Sequence, residues 1–102
     1  MIINGKEYGF TYTIGARCDY DDWVIQNQEN AFSFTHGIMM RAVFMNAAYV
    51  RKNGGEKLTY EMLRDLSNSE FENLLDELNK QIEQDSKTTI EAESKKAKST
   101  GR

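Results

Sequence analysis

Apolar positions crowd into one stretch of this chain, His36 to Lys52, which reads HGIMMRAVFMNAAYVRK. From Ile38 to Val50 only Arg41 and Asn46 interrupt the run. It is longer than an ordinary strand and rich in Ala and Met, so it predicts a helix over 36–52. It is too short to cross a bilayer, and it carries Arg41. Ile38, Ala42, Met45 and Tyr49 form one stripe, while Met40, Phe44, Ala47 and Val50 fall on others. A helix apolar on every side must be covered on every side, either by neighbours within the chain or by a second protein.

Upstream, Ile2-Ile3-Asn4-Gly5-Lys6-Glu7-Tyr8 carries a hairpin signal, because Asn-Gly tolerates the two positive φ angles of a tight turn. Tyr8, Phe10, Tyr12 and Ile14 then alternate with Gly9, Thr11 and Thr13. This period-2 pattern predicts a hairpin over 1–14 with one aromatic-rich face, and such a hairpin must pack on something larger. Gly15 ends the predicted strand. Cys18, Tyr20, Trp23, Val24 and Ile25 suggest a short helix over about 16–26, with Asp19, Asp21 and Asp22 near its N-terminal turn. Thr35 stands as the N-cap of the central helix, and Lys52-Asn53-Gly54-Gly55 as its stop.

Two further helices are marked downstream. Thr59 precedes a two-turn segment over 60–66, and Ser69 with Glu72 fits a capping box opening a helix over 70–84. In that last helix Phe71, Leu74, Leu75, Leu78 and Ile82 recur at steps of three and four, opposite Glu70, Asn73, Asp76, Glu77 and Lys80. After Asp85 the apolar residues nearly stop, and composition predicts a disordered basic tail over 86–102. The pattern as a whole predicts an α+β fold, mainly α. A hairpin packs on a bundle of three to four helices within one domain over 1–85.

Composition narrows the function. The chain has 102 residues, net charge −3 and a single cysteine, Cys18. No intrachain disulfide or thiolate zinc site is therefore possible. Charge is divided unevenly: residues 1–85 hold eight Lys/Arg against fourteen Asp/Glu, whereas 86–102 hold five against two. An acidic body argues against nucleic acid as a partner, since phosphate contacts need clustered Lys and Arg. The N-terminus shows no basic and apolar leader and no spanning helix, so no membrane and a cytoplasmic location are expected.

Motifs for catalysis are weak. His36 could act as a base and Cys18 as a nucleophile, but nothing around either matches a thiol-enzyme signature, and a buried small residue is the plainer reading of Cys18. Asp19, Asp21 and Asp22 lack the glycine and further oxygens of a calcium loop, and Gly54-Gly55-Glu56-Lys57 lacks the spacing of a phosphate loop. No cofactor or metal is expected, and no enzyme. Four of five methionines fall at 39, 40, 45 and 62. Met fills cores, but it is also over-used where one surface accepts varied partners. Trp23, Phe32 and Phe34 flank a polar loop and could be core or an exposed docking patch.

The order of these pieces resembles a known family. I-N-G-K-E-Y with its alternating aromatics leads through T-I-G-A at 13–16 to an apolar central helix. L-T-Y-E-M-L at 58–63 and N-S-E-F-E-N-L-L from residue 68 then complete the layout. Over residues 1–80 this is similar to the tail assembly chaperones of long-tailed (siphovirus-type) phages and prophages of Gram-positive bacteria. The resemblance implies a non-catalytic protein of the host bacterial cytoplasm, absent from the mature virion. It would bind and solubilise the tape measure protein, a long and partly hydrophobic helical chain, and help recruit tail tube protein around it. A Met-rich helix bordered by aromatics suits such a helical client, and the residues themselves predict that Trp23, Phe32, Phe34, Met39, Met40 and Phe44 line a client surface or a homo-oligomer contact. Competing readings are a small phage-encoded inhibitor of a host defence protein, using its acidic surface as a decoy, and a minor virion connector subunit.

Overall fold

The computed structural model describes residues 1–31 and 33–100. The side chains of 30, 31 and 87–100 are not described. The fold is α+β and mainly α: a two-stranded antiparallel hairpin, β1 (Ile2–Ile3) and β2 (Lys6–Glu7), precedes helices α1 (Ile14–Gln26), α2 (Gln28–Ala31), α3 (Phe34–Asn53), α4 (Tyr60–Arg64) and α5 (Asn68–Thr100).

The hairpin turns where the sequence requires it. Asn4 (φ 52°) and Gly5 (φ 79°) both occupy the left-handed region, and Ile3 pairs with Lys6 across the turn. The strands are shorter than the alternation predicts. Tyr8 still pairs with Met1 (N–H to carbonyl, 2.8 Å), but residues 9–13 leave the hairpin and lie along the helices, where their backbone finds other partners. The Gly9 carbonyl accepts from Asn46 Nδ2 (3.0 Å), Thr11 N–H donates to the Met45 carbonyl (3.1 Å), and Tyr12 N–H donates to Asp85 Oδ2 (2.9 Å). The alternation itself survives: Tyr8 and Phe10 are buried. Ile14 does not continue it, being exposed at the first position of α1.

Helix α1 begins earlier than expected because the Thr13 side chain caps it, accepting from Ala16 N–H (3.0 Å). Gly15 therefore sits inside the first turn. Asp19, Asp21 and Asp22 fall in mid-helix rather than at the helix start, beyond the reach of an N-terminal dipole effect. The other caps shift in the same way. Ser33, not Thr35, caps α3 (His36 N–H to Ser33 Oγ, 3.4 Å). The capping box of α5 is Ser67 with Glu70: Glu70 N–H donates to Ser67 Oγ (3.2 Å), and Ser67 N–H to Glu70 Oε1 (3.1 Å). Thr59 caps α4 and Gly54 (φ 76°) ends α3, both as the sequence indicates.

The core joins Ile3, Tyr8 and Phe10 from the N-terminal segment, Ala16 from α1, and Met39, Ala42 and Met45 from α3. Leu58, Leu63, Leu74 and Leu78 close it from the C-terminal side. Fully buried at its centre is one polar residue, Asn46. Its Nδ2 donates to the carbonyls of Gly9 and Glu56 (3.3 Å), and its Oδ1 accepts from Leu58 N–H (2.7 Å). One amide thus clamps two segments, at Gly9 and over 56–58, onto α3.

Beyond residue 85, where composition predicts a disordered tail, the backbone of 86–100 continues as helix in α5. The physical reason lies in the sequence: neither Gly nor Pro interrupts 56–100, and eight of the fifteen residues over 86–100 are Lys, Glu or Ala.

Candidate interaction surface

The structure separates the residues singled out from the sequence. Met39 belongs to the core, 5% exposed, and is not a surface residue. Its position on the α3 stripe with Ala42 and Met45 turns it toward α4 and α5 rather than toward solvent. Met40 and Phe44 are half-buried, and Phe44 also packs on the core. Trp23 is half-buried on α1, its ring 5.9 Å from that of Tyr20 at a tilted angle. Phe34, the first residue of α3, is 66% exposed. Phe32 lies outside the described residues.

Helices α1 and α3 approach closely for a local reason. Gly37 presents no side chain, and the Tyr20 hydroxyl oxygen lies 3.1 Å from where a Cβ would stand. The Arg41 guanidinium lies over the same ring, 4.5 Å from its centre. Arg41, which interrupts the apolar run, is thereby spent on holding α1 rather than on solvent. α1 has no clean apolar stripe: only Ala16 is buried, while Ile25 near its end is 69% exposed. Ile25 and Phe34 are the ends of helices joined through α2, and they leave large apolar side chains in water.

A second feature lies where α3, α4 and the start of α5 meet. An open groove of about 300 Å³ is lined by Met39, Leu63, Leu66 and Phe71, with His36, Tyr60 and Arg64 among its polar margin. The His36 ring stacks on Tyr60 (6.2 Å, 12°), and its Nδ1 is buried without a hydrogen-bond partner. The single-residue reading of His36 misses this groove, because its other walls come from residues 24 to 35 positions downstream. Glu70, at the same end, has its carboxyl held below the ordinary glutamate value by the hydrogen bonds from Ser67.

Cys18 is exposed. Among the described residues no three His, Cys, Asp or Glu side chains converge as a metal site. The glycines at 54 and 55 (φ 76° and 106°) are a helix stop. No described helix is long and apolar enough to cross a membrane. Comparison with protein-family models, curated proteins and solved structures finds no match to this chain.

Proposed function

We propose that this protein is a phage tail assembly chaperone that holds a tape measure protein in solution and helps recruit tail tube subunits without catalysing a reaction. The observation that carries the reading is the set of large apolar side chains left uncovered or half-covered on α1 and α3: Trp23, Ile25, Phe34, Met40 and Phe44. A surface of aromatic, aliphatic and thioether groups adapts to the changing face of a long helical client. The acidic body keeps the free protein dissolved and discourages binding of nucleic acid. Met39 contributes from beneath by supporting α3, not by contact.

The test is co-expression of a phage tape measure protein with wild-type protein and with a Phe34→Asp variant. Phe34 is exposed, so the variant should keep its fold while the client returns to the insoluble fraction. A client as soluble with the variant as with the wild type, or no more soluble with the wild type than without it, overturns the proposal. The decoy reading draws on the exposed Asp19, Asp21 and Asp22 of α1; it would be favoured by capture of a basic host nuclease that is lost on neutralising those three residues.

A further inference from the structure

Where α1 packs against α3, a small cleft of about 120 Å³ remains, lined by Arg17, Arg41, Tyr12, Tyr20 and Asp21. Its floor is apolar and dry, since Ala16 and Met45 are 3% and 1% exposed. Two guanidiniums reach it from different helices, Arg17 from α1 and Arg41 from α3. Each lies over a tyrosine ring, Arg17 5.7 Å from the centre of Tyr12 and Arg41 4.5 Å from that of Tyr20. Among the described residues neither makes an ion pair within 4.0 Å. Carboxylates are not scarce, for acids outnumber bases fourteen to eight over 1–85. Placement is the cause. Asp21, the acid in the lining, is exposed and follows Arg17 by four positions, the order of charges that a helix favours less. Contact with a ring face uses the charge of the cation and not its N–H groups. Each guanidinium therefore keeps donors for an acceptor that the fold does not supply.

From this arrangement we infer that the cleft binds one carboxylate, held by the guanidiniums of Arg17 and Arg41. Size limits the ligand first. A water takes about 30 Å³, so the space equals about four waters, enough for a group the size of acetate and too little for a nucleotide. Charge selects within that size. Two guanidiniums less the Asp21 carboxylate leave one net positive charge, which a carboxylate neutralises and a doubly charged phosphate exceeds. The planar guanidinium fork matches the two oxygens of a carboxylate, and the apolar floor strengthens such charge-assisted bonds. Arg41 is half-buried, and the Tyr20 ring beneath it is seated against Gly37, so little freedom is lost on binding. The carboxylate comes either from a free small acid or from an Asp or Glu side chain of another polypeptide, and the chemistry at the arginines is the same. Neither the Phe34 surface nor a tape measure client enters this reading.

Nitrogen-15 NMR of the full chain at mildly acidic pH, following the arginine Nε–H and backbone amide signals, tests it. Sodium acetate should shift the Arg17 and Arg41 side-chain signals saturably, and beyond the effect of sodium chloride at equal ionic strength. Arg17→Gln, at an exposed position that should leave the fold intact, should weaken acetate binding by about tenfold or more. Arg41→Lys keeps a cation over Tyr20 but lacks the fork, and should weaken binding as well, with the Leu74 and Leu78 amides unmoved as the sign of an intact core. Asp21→Asn should tighten binding by about threefold. A capped alanine-rich peptide with one glutamate, set against its glutamine counterpart, separates the two sources. Tighter binding than acetate by the glutamate peptide alone assigns the site to a polypeptide side chain, and weaker binding assigns it to a free small acid. Shifts no larger than those with chloride, acetate binding unchanged in Arg17→Gln and Arg41→Lys, or phosphate bound more tightly than acetate would each overturn the proposal.

Discussion

Replacing Asn46 should be the most damaging single change to the folded body. The side chain is fully buried and makes three hydrogen bonds, to the carbonyls of Gly9 and Glu56 and from the N–H of Leu58. Asn46→Ala removes all three and leaves the buried Leu58 N–H and two carbonyls without this partner. About 1 kcal/mol for each of the two bonds to carbonyls, with about 1–3 kcal/mol for the stranded Leu58 donor, gives a loss of roughly 3–5 kcal/mol. A body of this length has a total stability of only about 4–13 kcal/mol, so the loss is a large share. Asn46→Asp separates hydrogen bonding from volume. It keeps an acceptor for Leu58 but sets a carboxylate against two carbonyls, and should be at least as harmful near neutral pH. Burial raises the pKa of that carboxyl, so its protonated form is favoured in the fold, and part of the loss should be recovered as pH falls and the acid can donate again. Urea unfolding followed by far-UV circular dichroism measures the change, and hydrogen exchange at the Leu58 amide locates it. A loss below about 1 kcal/mol, or an unchanged Leu58 exchange rate, would refute the clamp.

Gly9→Ala should cost about 1–3 kcal/mol, because the added methyl would overlap the ring carbons of Tyr49; Tyr49→Ala in the same chain should recover most of it in the same urea assay. Glu70 has a depressed carboxyl pKa in the folded chain, so its capping contribution is present above the ordinary glutamate value of 4.5 and is lost as pH falls through the lower folded value. Thermal melts between neutral and strongly acidic pH should show that loss in the wild type and a flatter profile in Glu70→Gln, which retains an acceptor for Ser67 N–H. Arg41 and Tyr20 should show a coupling of about 0.5–2 kcal/mol in a double-mutant cycle, given the half-buried ring and guanidinium 4.5 Å apart. Phe34→Asp should change stability by no more than about 0.5 kcal/mol, since the side chain is mostly in water.

The elements of the fold were legible in the sequence because they rest on local rules. Asn4-Gly5, Thr59 and Gly54 each act through their own backbone conformation or cap, and each stands where the pattern put it. Caps elsewhere slipped by two positions because Ser and Thr cluster there, and either of two could accept the first free N–H. Thr13 competed with the glycine after it, Ser33 with Thr35, and Ser67 with Ser69. The tertiary partners of 9–13 were not legible at all. An extended aromatic segment reads as a strand whether its backbone bonds to another strand or, as here, to Met45, Asn46 and Asp85. Asn46 itself appears in the sequence only as a blemish in an apolar run.

The same distinction governs the candidate surface. The sequence argues that the central helix is too apolar for so small a body to cover, but the covering is done more completely than that count suggests. Ala42 and Met45 vanish into the core, Met39 with them, and Arg41 is drawn across Tyr20 instead of interrupting the helix packing. What remains outward is concentrated at the flanks: Phe34 at the first residue of α3, Ile25 at the end of α1, and Met40, Phe44 and Trp23 half-covered between. Ile25 escaped notice because α1 has no periodic stripe that would mark any of its residues as facing out. A core-filling stripe and a client-binding stripe on one helix share the same residue types and differ by about 100° of rotation per position, so composition cannot separate Met39 from Met40. Adjacent methionines, one buried and one half-open, therefore call for opposite expectations: truncating Met39 should weaken the fold, whereas charging Met40 should weaken association first.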